Sequence, residues 1–384
     1  MTEKMKIGIL TQPMHLNYGG ILQNWALQQV LKRLGHRPVM INRLYTGEKV
    51  GKKVILLRFL SLGKTIVRKY ILRQDNAFLM WITDPEFHPY WPKSCDTSMI
   101  KKIDHTRPLV NDEKLRKEVG KQKFDAFIVG SDQVWREAYS PRIESYFLDF
   151  LEDGDKRPKV SYAASFGVSE GYISDEKMQE CSRLLGRFDS VSVREDSGVE
   201  VVKRDFGRDD AVKVLDPTLL LEAKDYEQLI KPKDRHHKPY IAAYILDKTD
   251  DKRKIVDEVK EKLGLEVTEF SGEFEGKRML TMSQWLAAIA DAEFVVTDSF
   301  HGTVFSIIFG KPFIAIANKM RGTDRFTSIL GEMGLMDRLV FTAEDFEKRK
   351  DKMMDGIDFK GVKDRLDGLR SKSKDWLTKA LRPS

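Results

Sequence analysis

Cysteine is nearly absent from this sequence: the 384 residues include only two, Cys95 and Cys181. They lie far apart and show neither disulfide nor metal-ligand spacing, and isolated thiols are typical of a reducing cytoplasm. Long apolar runs are also missing, since Arg58 and Lys311 interrupt the longest and leave no membrane span. The start, MTEKMKIGIL, contains acidic Glu3 and no extended apolar region, so we expect no signal peptide. These absences predict a cytoplasmic protein.

Glycine and proline are scarce as well, at 26 and 13 residues, which excludes a collagen-like or low-complexity chain. Hydrophobic residues make up 41% and charged residues 33%, the balance expected of a soluble globular protein. Because 384 residues are too many for one ordinary core, we expect two domains.

Basic residues outnumber acidic residues only slightly, by 66 to 59, which gives a net charge of +7. This excess accommodates anionic ligands but does not indicate nucleic acid, and we expect no nucleic-acid partner. The charge is concentrated between residues 43 and 74, where nine Lys or Arg stand against Glu48 and apolar residues recur at near-helical spacing. This segment is either a basic amphipathic helix that contacts the inner face of a membrane or a solvated helical insertion.

Short apolar strands alternate with helices along most of the chain. KIGIL, RPVMIN, FDAFIVG, KVSYAASFG and SVSVRE form a first series of predicted strands, and PYIAAYIL, LEVTEF, EFVVTD and KPFIAIA form a second. This alternation is typical of parallel sheets covered by helices on both faces. We therefore predict an α/β fold with two Rossmann-like, doubly wound domains facing a cleft.

The dipeptide Asp216-Pro217 marks the predicted join between the two domains. The N-terminal domain would cover residues 1–215, with an irregular insertion at 44–120. The C-terminal domain would cover residues 216–345, and residues 346–384 would form a charged helical tail.

A polar group interrupts the apolar stretch VVTDSFHGTVFSIIFGKPF: Asp298, Ser299, His301 and Gly302 follow the predicted strand EFVVTD and open a helix. Ligands of open α/β sheets bind at the carboxyl ends of strands, and the start of a helix attracts anions. Ser299 can cap the helix, Gly302 lets the backbone approach a ligand, and His301 can donate a hydrogen bond or move a proton. We predict an anion site here; the alternative is a capped helix with a structural histidine.

Two further sets of basic side chains follow strands. Arg194 ends the strand of SVSVRE, where its charge needs a ligand anion or, alternatively, a partner such as Glu195 or Asp196. The loop NKMRGTDRF follows KPFIAIA and carries Arg321 and Arg325; alternatively, it is an ordinary basic surface loop. Together with the histidine, these arginines predict a cationic cluster in one cleft.

In their order along the chain, NYGGILQNWALQQVLKRLGH, FDAFIVGSDQVW, VSVRED, VLDPTLLL and TDSFHGTVFSIIFGKPF resemble the polysaccharide pyruvyl transferases, from about residue 5 to residue 335. The resemblance implies a glycosyltransferase-B-like fold, with the acceptor side in the N-terminal domain and the donor side in the C-terminal domain. It also implies transfer of a pyruvyl group from phosphoenolpyruvate to a sugar of a surface polysaccharide or its lipid-linked oligosaccharide precursor. The product would be a ketal, and phosphate would be released.

The resemblance also implies donor-binding residues. In the family, an arginine after a strand and a histidine hold the donor, and they match Arg194 and His301. Many relatives have an arginine two residues before the histidine, where this chain has Ser299, so Arg321 or Arg325 would supply that contact. The resemblance implies phosphoenolpyruvate as the donor substrate, and we expect no metal and no further cofactor.

Ketal formation needs a general acid and a general base. His301 would be the acid or would clamp the phosphate. Asp132, in GSDQVW, would orient or deprotonate the acceptor hydroxyl, and the alternative is that it caps a helix.

Side chains of the loop TQPMHLNYGG and one aromatic residue of GSDQVW would contact the acceptor sugar: Gln12, His15, Asn17, Tyr18 and Trp135. The alternatives are hydrogen bonding within the loop for the polar side chains and packing for the tryptophan.

Two other functions stay open. A nucleotide-sugar-dependent glycosyltransferase would have the same fold, although the sequence shows no acidic residue at the expected ribose position. A non-catalytic polysaccharide-assembly protein is favoured only by Ser299. Stabilisation by phosphoenolpyruvate or by a nucleotide sugar separates the two enzymes, and phosphate release excludes the non-catalytic protein.

Overall fold

The structure is a computed structural model, and it describes residues 4–14, 17–44, 97–271, 280–317 and 322–382, together with Ile66, Val67 and Ile71. The chain forms two compact units, one of residues 1–217 and 374–384 and the other of residues 218–373. The sequence predicts a division at residue 215 and a separate tail from residue 346. In the structure, residues 346–373 belong to the second unit and the residues after them belong to the first.

The described part of the first unit contains a parallel sheet of six strands in the order β2-β1-β3-β4-β5-β6. Strands β3 and β4 are buried along their whole length, because helices cover both faces of a parallel sheet. The strands are β1 (Lys6–Leu10), β2 (Arg37–Met40), β3 (Ala126–Val129), β4 (Lys159–Ala164), β5 (Ser190–Val193) and β6 (Val212–Lys213). The helices are α1 (Tyr18–Arg33), α2 (Thr97–Ile100), α3 (Asp112–Gln122), α4 (Asp175–Leu185) and α5 (Asp196–Phe206).

The described part of the second unit contains a parallel sheet of five strands in the order β11-β10-β9-β7-β8. The strands are β7 (Tyr240–Tyr244), β8 (Glu266–Phe270), β9 (Phe294–Thr297), β10 (Phe313–Ile316) and β11 (Leu339–Val340). The helices are α6 (Ala223–Glu227), α7 (Asp250–Leu263), α8 (Met282–Ala290), α9 (Phe300–Phe309), α10 (Asp324–Met333), α11 (Ala343–Met354) and α12 (Phe359–Ala380). The last part of α12, from Lys374, belongs to the first unit. The two parallel sheets confirm the predicted α/β class with two domains.

Both sheets reverse their strand order at one point. In the first sheet β1 lies between β2 and β3, and in the second β7 lies between β8 and β9. After β1 the chain adds β2 on one side of that strand and later adds β3 on the other side. In the second sheet it adds β8 and then β9 on opposite sides of β7. Ligands of such sheets bind between the loops that follow the two strands at the reversal. Ligands are therefore expected at the loops after β1 and β3 in the first sheet and after β7 and β9 in the second.

Both units have aromatic side chains in their cores. In the first unit the ring of Trp135 stacks on Phe147 with centroids 5.4 Å apart and packs against Phe166 at 5.2 Å. In the second unit, Trp285 packs against Tyr244 and Phe305, and a separate, mostly aliphatic cluster combines residues of β7, β9 and β10 with residues of α7 and α11. Each described helix is either too short or too polar to cross a lipid bilayer.

Candidate active site

The loops after β1 and β3 are joined by hydrogen bonds at the reversal point of the first sheet. Gln12 Nε2 donates to the backbone oxygen of Gln133 at 2.8 Å. Asn17 is the N-cap of α1, because its side-chain oxygen accepts from the backbone N–H of Gly20 at 3.1 Å. Of the predicted acceptor residues, Gln12 therefore connects the loop after β1 to the loop after β3, and Asn17 caps α1.

Asp132 lies in the loop after β3. Its φ is 76°, in the left-handed region that residues other than glycine rarely adopt. Its Oδ1 accepts from the backbone N–H of Gln133 at 2.9 Å and from Arg194 Nη2 at 3.4 Å, and its Oδ2 accepts from Asn17 Nδ2 at 3.5 Å. The described residues directly after Asp132 form no α-helix, so its interpretation as a helix cap is wrong.

Acidic side chains surround Arg194, which follows β5. The arginine side chain is 2% exposed, and its guanidinium lies 2.9 Å from Asp216 Oδ2, 3.4 Å from Asp132 Oδ1 and 3.8 Å from Glu195 Oε2. Burial lowers the pKa of Arg194, but the attraction of Asp132, Asp216 and Glu195 outweighs it and holds the pKa above its ordinary value. The predicted alternative, pairing with Glu195, is therefore present together with two stronger contacts.

The sequence reasoning missed Asp216 in this group and named Glu195 only as a partner of Arg194. Glu195 Oε1 accepts from Ser165 Oγ at 2.7 Å and ties the loop after β5 to the loop after β4. Asp216 Oδ2 accepts from Ser131 Oγ at 3.5 Å and reaches the loop after β3. Asp216 lies three residues after the end of β6, and this position near a strand end is the signal that could have identified it. From the sequence, Asp216 marks only the predicted domain boundary.

The prediction that Trp135 stacks on a sugar is wrong. Its ring is fully buried in the aromatic core, and its Nε1 donates to the backbone oxygen of Tyr146 at 3.1 Å. The indole ring therefore packs in the core, and its N–H makes a hydrogen bond to the backbone there. Tyr18 is the first residue of α1 and is 5% exposed, and His15 lies outside the described residues.

Ser299 caps α9, as its position predicts. Its Oγ accepts from the backbone N–H of Gly302 at 3.3 Å, and the helix begins at Phe300. The structure gives Gly302 a packing role, because a Cβ there would lie 2.3 Å from Thr297 Oγ1 and 3.0 Å from the ring of Tyr244. The start of α9 lies too close to β9 for any side chain at this position.

Asp298 is directed to the loop after β7. Its carboxylate accepts from the backbone N–H groups of Leu246 at 2.6 Å and Asp247 at 3.0 Å, and from Lys252 Nζ at 2.7 Å. Lys252 is a further residue that the sequence reasoning missed. The carboxylate thereby connects the two loops at the reversal point of the second sheet.

His301 and Arg325 both contact Phe300. The rings of His301 and Phe300 have centroids 5.1 Å apart, and the guanidinium carbon of Arg325 lies 5.5 Å from the Phe300 centroid. The two basic residues are 6% and 8% exposed. They begin α9 and α10, which follow the neighbouring strands β9 and β10. Arg321 lies outside the described residues.

The predicted site residues are thus divided between the two units. The first contains Gln12, Asn17, Tyr18, Asp132 and Arg194, and the second contains Ser299, His301, Gly302 and Arg325. Within its unit Arg194 is surrounded by three carboxylates at strand ends. In the ranges that the structure describes, no group of His, Cys, Asp and Glu side chains is arranged to hold a metal ion.

Solved structures with a similar fold have low sequence identity to this chain. The S. aureus MnaA-UDP co-structure matches with a TM-score of 0.51 and 11% identity, over 97% of this chain and 95% of that chain. A putative UDP-N-acetylglucosamine 2-epimerase from Listeria monocytogenes matches with a TM-score of 0.50 and 11% identity, over 96% of this chain and 91% of that chain. These similarities show the fold alone, the two-domain α/β fold of glycosyltransferase-B enzymes and such epimerases.

No curated protein matches this sequence significantly. The sequence model of the family "Polysaccharide pyruvyl transferase" matches residues 17–320. The matched range is more than half of the 384 residues and includes Asp132, Arg194 and His301. The chain is therefore a transferase that belongs to the polysaccharide pyruvyl transferase family.

Proposed function

We propose that the protein transfers the pyruvyl group of phosphoenolpyruvate to a sugar of a surface polysaccharide or its lipid-linked oligosaccharide precursor. The product is a ketal, and phosphate is released. The observation that carries this proposal is the family match over residues 17–320. The residues at the strand ends of the two units support it as follows.

The second unit supplies groups suited to the donor. Phosphoenolpyruvate carries a phosphate and a carboxylate, and the start of a helix attracts such anions. The starts of α9 and α10 lie after neighbouring strands and carry His301 and Arg325, which both contact Phe300. In this proposal Arg325 takes the place of the family arginine that Ser299 replaces, and Arg321 is the alternative source of that charge.

The first unit supplies a base for the acceptor. A sugar hydroxyl becomes a good nucleophile when a carboxylate or histidine removes its proton. The Oδ1 of Asp132 is held by Arg194 and by the backbone N–H of Gln133, whereas Oδ2 is directed to Asn17 at the start of α1. We assign Oδ2 of Asp132 as the atom that accepts the hydroxyl proton.

The steps balance without a metal or a cofactor beyond the donor substrate, and we propose that none is used. His301 delivers a proton to the methylene carbon of phosphoenolpyruvate, which becomes a methyl group. The acceptor oxygen bonds to the adjacent carbon, the bond from that carbon to the phosphate oxygen breaks, and a second sugar hydroxyl closes the ring. The two reacting hydroxyls release two protons. One makes up for the proton that His301 gave to the methylene carbon, and the other leaves with phosphate.

The competing function is sugar transfer from a nucleotide donor, since the similar S. aureus structure contains UDP. A diphosphate would use the backbone N–H groups of the loop after β7. Two of these, from Leu246 and Asp247, already donate to the carboxylate of Asp298. This arrangement favours a compact donor at the starts of α9 and α10.

Product analysis tests the proposal. The purified protein is incubated with phosphoenolpyruvate and polysaccharide, or lipid-linked precursor, from cells that lack it. We expect phosphate release and a pyruvyl mass increase on the glycan. Cleavage of a UDP-sugar with glycosyl transfer, and no phosphate from phosphoenolpyruvate, would instead establish the nucleotide-dependent function. A protein inactive in both assays would support a non-catalytic role.

We further propose that the protein works in the cytoplasm and contacts the inner face of the membrane through residues 43–74, where a lipid-linked acceptor is held. Most of this segment lies outside the described residues. Its described members Ile66, Val67 and Ile71 are 40%, 42% and 71% exposed. Exposed apolar side chains within a basic segment support contact with an anionic lipid surface.

A further inference from the structure

We propose that Asp216 is a positioning residue for this reaction: it holds Arg194 and Ser131 and thereby fixes the carboxylate of Asp132. The inference rests on the proposed role of Asp132 as the base. It assigns no substrate contact to Asp216. It gives a role to the hydrogen bonds that connect the residues following β3, β5 and β6.

Asp216 reaches Asp132 by two routes. Its Oδ2 accepts from Arg194 Nη1 at 2.9 Å, and Arg194 Nη2 donates to Asp132 Oδ1 at 3.4 Å. The same Oδ2 accepts from Ser131 Oγ at 3.5 Å, and Ser131 is the residue directly before Asp132. The Asp216 side chain is 1% exposed, so solvent does not replace these contacts.

The guanidinium is therefore shared between two acids. Arginine can donate two parallel hydrogen bonds to a single carboxylate, and such a pair is stronger than one bond. Arg194 donates Nη1 to Asp216 at the shorter distance and Nη2 to Asp132 at the longer one. This division leaves Oδ2 of Asp132 directed to Asn17 and the start of α1, where a Cβ on Gly20 would lie 3.3 Å from it.

Sharing also determines how basic Asp132 is. The charged groups around it include Arg194 and the two other acids that contact this arginine, Glu195 and Asp216; the positive end of α1 faces Oδ2. Without the charge of Asp216, Arg194 would attract Asp132 more strongly and the carboxylate would accept a proton less readily. Without the charge of Arg194, the carboxylate would accept a proton more readily.

The test is the pH dependence of phosphate release by wild type and by Asp216→Asn, with phosphoenolpyruvate and glycan acceptor. Asparagine keeps the size and an acceptor atom but removes the charge. We expect kcat to fall by about tenfold or more, within the range of general-base contributions. The KM for phosphoenolpyruvate should stay within about twofold, because the donor groups lie elsewhere. The acidic limb of kcat/KM should move to lower pH by about one unit, and Arg194→Gln should move it to higher pH.

Asp196 provides the matched control. It was the other acid predicted to pair with Arg194, but it lies 2.6 Å from Lys213 and its side chain is 67% exposed. Asp196→Asn should leave kcat and the acidic limb unchanged. If Asp216→Asn does not fold, Asp216→Glu keeps the charge but displaces the carboxylate, and we expect a lower kcat with the limb in place.

The outcomes separate this inference from the proposed function. A wild type that releases no phosphate from phosphoenolpyruvate with acceptor refutes both. An active wild type overturns the positioning role alone if Asp216→Asn keeps its kcat, or loses kcat while the limb stays where it was. Unchanged turnover of Asp216→Glu, where that variant is needed, overturns the positioning role as well.

Discussion

Lys252 and Asp298 form an ion pair with an N–O distance of 2.7 Å, and their side chains are 9% and 0% exposed. The carboxylate also accepts from two backbone N–H groups of the loop after β7, and Lys252 also donates to the backbone oxygen of Asp247 at 2.8 Å. The pair therefore fixes the reversal point of the second sheet through side chains from the loop after β9 and from α7. These hydrogen bonds replace the ones that water would make to the ammonium and carboxylate groups if the pair were exposed.

We expect Asp298→Asn to destabilise the protein by about 3–5 kcal/mol, because it leaves the charge of Lys252 buried without its partner. Thermal and denaturant unfolding measure this loss. Adding Lys252→Met to the same variant should recover part of it, since the uncompensated charge is then removed. Asp351→Asn is the control. Asp351 pairs with Lys262, and both side chains are exposed, so loss of this ion pair should leave the unfolding transition unchanged. An equally stable Asp298→Asn variant would contradict the structural role.

Gly302→Ala should be destabilising, because its Cβ would lie 2.3 Å from Thr297 Oγ1. Relieving the overlap requires moving α9 away from β9, and overpacking of this kind costs about 1–3 kcal/mol. The control is Gly331→Ala in α10, where a Cβ would have no atom within 4 Å. That variant should gain about 0.5–1 kcal/mol from the helix preference of alanine. The two free energies of unfolding, compared with wild type, should therefore change in opposite directions.

Arg325→Ala tests the donor assignment. Removal of a charged group that stabilises the departing phosphate should cost about 2–4 kcal/mol of transition-state stabilisation. Steady-state phosphate release measures this as a loss of kcat/KM for phosphoenolpyruvate. Arg253→Ala removes an exposed arginine of α7 in the same unit and should keep wild-type rates. Wild-type kinetics for Arg325→Ala would place the missing cation at another residue, and Arg321→Ala is the next variant to measure.

Burial raises the pKa of the Cys181 thiol to about 12, and nearby Glu144 and Glu137 add to the effect. At pH 8 the folded protein therefore holds this thiol protonated, whereas roughly a quarter is ionised at the ordinary pKa of about 8.5. Since only the thiolate reacts, alkylation of a Cys95→Ser variant should be slow until the protein unfolds. The same shift makes folding less favourable as pH rises above about 8.5, where the unfolded chain loses this proton first. Rapid labelling of the native variant at pH 8 would show that Cys181 is not buried.

Residues 43–74 should bind anionic vesicles. Each of the nine basic residues adds at most about 1 kcal/mol near such a surface, and salt reduces the sum. Flotation with phosphatidylserine vesicles should therefore recover the protein at low salt and lose it at high salt. A variant with Lys52, Lys53, Arg68 and Lys69 all changed to Glu should not float. If the wild type stays in solution at low salt, the segment is an ordinary solvated insertion.

The central strands could be predicted because their local sequence determines them. FDAFIVG and EFVVTD are continuous apolar runs, as expected of strands buried on both faces, and they form β3 and β9. VLDPTLLL is also largely apolar, but it forms no strand. Strand β6 ends at Lys213, and a 3-10 helix begins at Pro217, because proline lacks the N–H that a strand would need.

The site could be predicted only where one loop determines it. The cap formed by Ser299 on Gly302 spans three residues, and its position identified it. The partners of Arg194 could not be found in the same way, since Asp132 is 62 residues away in sequence and Asp216 is 22 away. Only the order of strands in the sheet brings these side chains together. Trp135 was misassigned for a related reason: its core neighbours come from distant parts of the chain.

Helix α12 has a consequence for the order in which the protein is made. Its Arg370 donates to the backbone oxygens of Leu219 and Leu221 in the second unit, whereas Trp376, six residues later, packs against Tyr162 in the first. A ribosome synthesises the chain from the N-terminus, and domains fold as their residues emerge. The second unit is continuous and can fold once residue 373 is free of the ribosome. The first unit supplies the earliest residues but must wait for segment 374–384, so the unit that starts first is completed last.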